Sequence, residues 1–434
     1  MSGPTRTRRR LMASTGATLL TGVAGCLGDD PEEDVTFDHP DDVRADEPFE
    51  LTIDGLPEET PVEVAMESDS GIDATVTVET DSDGRIDLAD QSVVDGDVPT
   101  DLDIPTTVAL IQFASESFWQ YQPPEEERVT YSVRTDDEEY GSTELRRSHL
   151  DRSTYDDPAH SELVGGVFTP PIDDEGPGIL VLHGSEGEPL FEHAATLAHR
   201  GFTTFALHYF DGPGLPDDLV EIPLEYVETA AQWLLEHERV SSDRVGVIGM
   251  SKGGELGLLA GSRSDEIGPV VSIVGSGLVW EGINDTGVEP PETSSWSIDG
   301  EPVPYVPYDR GPFEDDVSMR EFYTQSLEAA RADTIDEATI PVEEIDGDVL
   351  LVSAGNDELW PTERLHNVTA DRLEERPQST VEHLRYGDAG HGIFPPYSPV
   401  MGTNRARFGG SRAGNARAAH DHWPAVLETL ATLD

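Results

Sequence analysis

The sequence predicts a doubly wound, mostly parallel α/β sheet preceded by an all-β sandwich of Ig-like character. Three observations lead there. From residue 148 onward, apolar runs of strand length alternate with amphipathic helical stretches, the rhythm of a parallel sheet with crossover helices. Between 36 and 147 the pattern is short period-two alternation broken by turn residues. One strand-to-helix junction reads Gly249-Met250-Ser251-Lys252-Gly253, a sharp turn flanked by glycine.

The chain has 434 residues, room for two or three units that each bury a core. It starts with Arg8-Arg9-Arg10 ahead of a modest apolar run from Leu11 to Val23, too short to span a bilayer well. Residues 1–25 look like a twin-arginine export signal, and Val23-Ala24-Gly25-Cys26 resembles a lipobox. The expected product is an extracytoplasmic protein held to the membrane by a lipid on Cys26. Its acidic linker, residues 26–35, is a hydrated spacer.

Residues 36–147 form the expected β unit. PFELTIDGL, VEVAMES, DATVTVET, GRIDLAD and RVTYSVRT each alternate apolar and polar positions. Asp81-Ser82-Asp83-Gly84 reads as a hairpin turn; a calcium loop starting there would need Glu where Ser92 stands. Residues 148–434 form the expected α/β unit. Its strands are GILVLHG, TTFALHYF, RVGVIGM, GPVVSIVG, DVLLVSAG and TVEHLRY, and its last helix runs near Ala418–Leu433. An insertion at about 278–345 breaks the alternation. Its Trp280, Trp296, Tyr305, Tyr308, Phe313 and Phe322 suit a lid or acyl-pocket wall at the carboxyl side of the sheet.

Composition narrows the partners. Asp and Glu number 88 against 27 Lys and Arg, a net charge of −61 spread along the chain. Such a surface repels nucleic acid and an anionic membrane face, and it suits a protein of a salt-loving organism, where salt screens self-repulsion. Loss of Arg6, Arg8, Arg9 and Arg10 with the signal would take the charge from −61 to −65. Cys26 is the only cysteine, so the folded body has no disulfide, no Cys-based zinc site and no Cys nucleophile. Lys252 is the only lysine.

The chemistry centres on the 249–253 turn. Gly249 and Gly253 relieve clashes as the chain reverses from strand to helix, lifting the Ser251 hydroxyl above the sheet: the nucleophile elbow of an α/β-hydrolase. A serine needs a base, and the base an orienting acid, in chain order Ser, acid, His. Asp357 closes the turn after DVLLVSAG, and His391 follows TVEHLRYGDAG, so both fall at strand ends. Glu358 and Asp388 are rival acids. His193 and His199 belong to a helix and are expected in solvent; His183 comes too early to be the base. The loop His183-Gly184-Ser185-Glu186-Gly187 is placed to give one oxyanion donor, the Ser185 N–H, with the Lys252 N–H as the second. The Lys252 side chain is expected to pair with Glu186 or Glu255, or else to face an anionic substrate. Sequons at Asn284 and Asn367 permit surface glycosylation.

GMSKGGELGLLAG, GSEGEPLFEHAATLAHRGF, HYFDGPGLPDDLVEIPLEYVETAAQWL, NDELWPT and YGDAGHGIFPPYSP resemble the acyl-CoA thioester hydrolase and bile acid-CoA:amino acid N-acyltransferase family. EPFELTIDGLPEETPVEV is similar to that family's N-terminal β unit. The resemblance implies Ser251 as nucleophile, Asp357 as the acid of a G-x-D-x-x-W block and His391 as the base in Gly390-His391-Gly392-Ile393. The family's amino-acid acyltransferases carry Cys at the nucleophile and its hydrolases Ser, so Ser251 implies hydrolysis. The expected function is an exported serine hydrolase cleaving acyl thioesters of the acyl-CoA type, in fatty acyl metabolism, through an acyl-enzyme. Its partner is a small-molecule acyl thioester or ester, and neither metal nor cofactor is implied. Two alternatives stay open: an extracytoplasmic carboxylesterase of dienelactone-hydrolase type using the same triad, and a non-catalytic binding lipoprotein.

Overall fold

A computed structural model describes residues 35–114, 124–136, 138–149, 155–170, 175–284, 291–310, 318–373, 381–396, 398–400 and 405–433. The export signal, Cys26 and the linker up to residue 34 lie outside the described residues, as do Phe313 and Asp285 and Thr286 of the Asn284 sequon.

The N-terminal unit holds β1 (Thr36–Asp38), β2 (Asp42–Arg44), β3 (Thr52–Asp54), β4 (Pro61–Ser68), β5 (Asp73–Glu79), β6 (Ile86–Asp87), β7 (Val93–Gly96), β8 (Glu126–Arg134) and β9 (Glu139–Ser148). They form a six-stranded sheet, β2-β9-β8-β4-β5-β7, and a three-stranded one, β1-β3-β6. Alternate residues of β4 (Val62, Val64, Met66), β5 (Ala74, Val76, Val78) and β8 (Val129, Tyr131, Val133) are buried together with Leu51, Ile53 and Ile86 of the smaller sheet. That one-faced burial is what period-two alternation encodes. Asp81 Oδ1 accepts the N–H groups of Asp83 and Arg85, both at 2.9 Å, so the acidic stretch makes a turn. The unit is not all-β: helix α1 (Thr106–Phe113) packs into its core with every residue buried. A helix buried on all sides has no exposed face for periodicity to reveal.

The second unit carries an eight-stranded sheet: β10 (Tyr155–Asp156), β11 (Val164–Phe168), β12 (Gly176–Leu182), β13 (Thr203–His208), β15 (Val240–Met250), β16 (Ile267–Ile273), β19 (Val349–Ala354) and β20 (Val381–Tyr386). Between them fall β14 (Ile222–Pro223), β17 (Trp296–Ile298) and β18 (Glu301–Pro302), which make a separate small sheet. The large sheet runs β10-β11-β13-β12-β15-β16-β19-β20, parallel from β13 onward with β10 and β11 antiparallel at one edge. This is an α/β-hydrolase-like arrangement. Residues of β12, β16 and β19 are buried throughout, as befits strands covered on both faces.

Helices α2 (Phe191–His199), α3 (Leu224–Leu235), α4 (Lys252–Gly261), α5 (Met319–Ala329), α6 (Ala332–Ala338), α7 (Thr362–Leu373), α8 (Arg405–Phe408) and α9 (Arg412–Leu430) follow in order. On α3 the buried residues Leu224, Val227, Ala230, Ala231 and Leu234 form one stripe against the sheet. Helix α9 begins six residues before the expected start, capped by Ser411 Oγ, which accepts the Gly414 N–H at 2.9 Å.

The two units share a core. Val400, Ala416 and Ala419 pack among the apolar residues of the N-terminal unit. Asp46 Oδ2 accepts from Arg200 Nε at 2.7 Å and from Trp423 Nε1 at 3.0 Å, tying β2's loop to α2 and α9. Within the insertion, Trp280, Tyr323 and Trp360 of the acid turn form a buried cluster, with Trp280 and Tyr323 edge-on at 4.8 Å. Tyr308 and Phe322 pack around this cluster, whereas Trp296 and Tyr305 join the core against the large sheet, an internal core more than an open wall. His193, expected in solvent, is buried, its ring 6.0 Å from Phe394. It lies on a buried face of α2 near Phe394 and His422, a choice of face that an isolated histidine does not announce.

Candidate active site

Strand β15 ends at Met250 and α4 begins at Lys252, leaving Ser251 alone to turn the chain. Its backbone takes φ 56° and ψ −120°, a conformation that costs an L-residue energy and that the surrounding packing must impose. A Cβ on Gly249 would overlap the carbonyl of Gly253, and one on Gly253 would overlap the carbonyls of Leu182 and His183. Strand, helix and the neighbouring β12 therefore approach backbone to backbone, and the glycines are steric requirements.

Ser251, His391 and Asp357 come together from three strand ends. Ser251 Oγ lies 2.9 Å from His391 Nε2, and His391 Nδ1 lies 2.7 Å from Asp357 Oδ2. A carboxylate only accepts, so Nδ1 carries the proton and Nε2 is left to accept the serine hydroxyl. Asp357 is fully buried; its Oδ1 accepts the N–H groups of Leu359 at 2.8 Å and Trp360 at 2.9 Å, which fix the carboxylate plane. Arg320 donates from Nη1 to the carbonyls of Gly355 (2.9 Å) and Asp357 (2.8 Å), clamping the acid turn from α5. The His391 N–H donates to Phe408 O at 2.8 Å, and the Phe408 ring lies over the imidazole with centroids 6.3 Å apart. Neither rival acid touches His391: Asp388 is exposed, and Glu358 is half-buried without a bond to the ring.

On the oxyanion side, the backbone N–H groups of Ser185 and Lys252 have no acceptor among the described residues. Lys252 N–H is the first of α4, where helix geometry leaves the donor unsatisfied and pointing along the helix dipole. Glu186 is not the partner of Lys252, which pairs with Glu255. Instead Glu186 turns back over its own loop: its Oε1 accepts the Gly184 N–H at 2.9 Å. One side of Glu186 stays exposed, yet burial of its carboxyl end raises the group above the ordinary carboxylate range, opposed by nearby His391. A carboxylate next to the base and the oxyanion loop was not detectable from spacing, because the loop's conformation decides where a side chain two residues on will point.

Lys252 is buried and pairs with Glu255, both carboxylate oxygens lying 2.9 Å from Nζ. Glu255 Oε1 also accepts Trp296 Nε1 at 2.7 Å and the Trp280 N–H at 3.2 Å. Burial pushes Lys252 down and Glu255 up, each restrained by the other's charge. This ammonium is spent on an internal partner. His183 is buried too, its ring stacked on Tyr209 at 4.0 Å, and the Tyr209 hydroxyl donates to the His183 carbonyl. The second sequon places Asn367 half-buried on α7, its Oδ1 accepting from Arg385 Nη2 at 3.1 Å, with Thr369 buried. Among the described residues no group of His, Cys, Asp and Glu is arranged to hold a metal ion.

A family described as BAAT / acyl-CoA thioester hydrolase C terminal matches residues 222–432, which include the elbow, Asp357 and His391. Acyl-coenzyme A amino acid N-acyltransferase 1 of Mus musculus is 32% identical over 271 residues, 60% of this chain and 60% of that protein. Acyl-coenzyme A thioesterase 1 of Rattus norvegicus is 28% identical over 400 residues, 87% of this chain and 91% of that one. The chain thus spans about 60% of the length of the first of these relatives and nearly all of the second. Among solved structures, a putative dienelactone hydrolase from Klebsiella pneumoniae aligns with 64% of this chain and 97% of its own, at 14% identity and a TM-score of 0.38.

Proposed function

We propose that the protein is a serine hydrolase that cleaves acyl thioesters of the acyl-CoA class through an acyl-enzyme on Ser251. The observation that carries this is the unbroken hydrogen-bond chain from Ser251 Oγ through His391 to the buried Asp357. Ser251 Oγ attacks the thioester carbonyl as its proton passes to His391 Nε2. The Ser185 and Lys252 N–H groups receive the oxyanion, each such donor worth about 2.7–4 kcal/mol of barrier. His391 returns the proton to the departing thiolate, the C–S bond breaks, and the acyl group stays on Ser251. Water, deprotonated by His391, then attacks the ester, and collapse of the second tetrahedral intermediate releases the acid and restores the serine. Asp357 keeps His391 in the required tautomer and stabilises the imidazolium without taking its proton.

The thioester preference is supported by the acyl-CoA thioesterases among the sequence relatives. The same reading includes export by the twin-arginine signal, anchoring through lipid on Cys26 and function in high salt, all supported by the N-terminal motifs and the net charge of −61. Membrane-bound protein whose first residue is a lipidated Cys26, found by mass spectrometry of the mature chain, tests the anchor.

Turnover is tested by following thiol release from a series of acyl-CoA thioesters, beside p-nitrophenyl esters, in molar salt. The expected result is faster thioester cleavage by wild type and its loss in Ser251→Ala. Ester cleavage alone would move the protein to the carboxylesterases, and equal turnover by Ser251→Ala would remove the nucleophile assignment.

A further inference from the structure

We propose that the Lys252–Glu255 pair is a positioning clamp that holds the first turn of α4 and the Asp357 turn in catalytic register; the proposal rests on the serine-hydrolase reading of the site. The need for a clamp follows from the elbow itself. Gly253 and Gly254 are sterically required: a Cβ on Gly253 meets backbone carbonyls, and one on Gly254 would come within 2.6 Å of Ser272 Oγ. Two successive glycines are also the most permissive backbone a chain can have. They lie directly after the residue whose N–H is to meet the oxyanion. At the entry to α4 the Gly254 N–H donates to Ser251 O at 3.0 Å and the Glu255 N–H to the same oxygen at 3.2 Å.

Lys252 and Glu255 flank the two glycines, and their side chains close over them by a two-oxygen ion pair at 2.9 Å. The pair then reaches two other segments. Glu255 Oε1 takes the indole N–H of Trp296 and the backbone N–H of Trp280, both from the insertion. The ammonium lies 5.3 Å from the Trp296 ring centroid and 5.9 Å from that of Trp360. Trp360 is the residue whose own N–H donates to Asp357 Oδ1. One buried charge pair therefore joins the oxyanion turn, the insertion and the acid turn.

Stability alone gives little reason for such a pair. Replacing a buried ion pair with apolar side chains of similar size is often neutral or stabilising, because desolvation offsets most of the attraction. Yet this chain, with arginine at its other 26 basic positions (27 minus one), has lysine here. A compact ammonium fits between two indoles with both carboxylate oxygens in reach, whereas a planar guanidinium needs a longer and wider slot.

The test is Lys252→Met/Glu255→Leu in the full chain, which leaves the Lys252 N–H in place. Sites are counted by fluorophosphonate titration, and kcat, KM and melting temperature are measured in molar salt. The expected result is a kcat per titrated site lowered about 10- to 100-fold, short of losing an oxyanion donor outright, with KM changed less than about threefold. The double variant also leaves the Trp296 indole and the Trp280 N–H without their acceptor, so the melting temperature should fall and kcat per titrated site is the deciding readout; Lys252→Arg alone should lower that kcat too. A lower melting temperature with full kcat per site would mean a purely structural pair and overturn the proposal. Trp296→Phe, which keeps an aromatic ring and removes the indole donor to Glu255, is a milder probe should the double variant fail to fold. It should lower kcat severalfold, and unchanged kcat would count against the clamp. Wild type whose activity survives Ser251→Ala would instead overturn the serine-hydrolase reading.

Discussion

Asp357→Asn separates the orienting role of the acid from its charge. The two carboxylate oxygens have different partners. Oδ1 faces two N–H donors, from Leu359 at 2.8 Å and Trp360 at 2.9 Å, and Oδ2 faces His391 Nδ1 at 2.7 Å. An asparagine has one acceptor and one donor end. Only its oxygen can face the two peptide N–H groups, since turning the NH₂ that way would leave two buried donors against two more. The NH₂ must then point at His391 Nδ1, which is forced to accept. The proton moves to Nε2, where it faces Ser251 Oγ and blocks removal of the serine proton. The fold should survive, since each hydrogen bond at the acid keeps a donor and an acceptor. Loss of the correct tautomer at a triad costs about 10⁴ in kcat, or about 5 kcal/mol of barrier at 1.36 kcal/mol per decade. The assay is thioester turnover and fluorophosphonate inactivation of wild type and variant, with circular dichroism as a control for folding. A folded Asp357→Asn within tenfold of wild type would refute the tautomer argument and with it the role of Asp357.

Three further outcomes follow from the geometry. Gly253→Ala should lose activity and destabilise the protein by about 1–3 kcal/mol, because the new methyl meets two backbone carbonyls that cannot swing aside; denaturant titration measures the loss, and wild-type stability would contradict it. Asp46→Ala leaves Arg200 with Glu47 as its remaining carboxylate and Trp423 Nε1 without its acceptor, so the junction between the units should weaken by about 1–3 kcal/mol, visible as a lower or split thermal transition. Finally, His149 and His422 are buried, and burial depresses each to about 4 from an ordinary 6.5. The unfolded chain binds protons at these positions first, so their stabilising contribution is complete above pH 6.5 and is lost as pH falls from 6.5 toward 4. Melting temperature should be flat above pH 7 and decline through that window, and His422→Leu, if it folds, should make the decline shallower.

The parts of the site that could be read in the sequence are those with a one-dimensional signature. The elbow is legible because steric relief needs glycine on both sides of Ser251, and Asp357 and His391 are legible because each follows the end of a strand in the alternating rhythm, one almost wholly apolar and one mixed. What escaped had no such signature. Helix α1 is buried on all sides and so shows no stripe. Strands β10 and β11 are short, with Gly165 and Gly166 breaking the apolar run. The start of α9, Arg412 to Arg417, is alanine- and glycine-rich, and its buried face is made of small residues that a hydrophobic pattern underweights. Glu186, Arg320 and the clamp around Lys252 depend on contacts between segments distant in sequence. Glu255 was legible as a partner for Lys252, three residues along one helix face, but its bonds to Trp280 and Trp296 required the fold.

The most direct test of the account is the site of covalent modification by a fluorophosphonate in molar salt, read by peptide mass spectrometry on the full chain. The expected result is stoichiometric labelling on Ser251, absent from Ser251→Ala and strongly slowed in His391→Ala. Well-folded protein that takes no label, or takes it at another residue, would contradict the assignment of Ser251, His391 and Asp357 as a working triad.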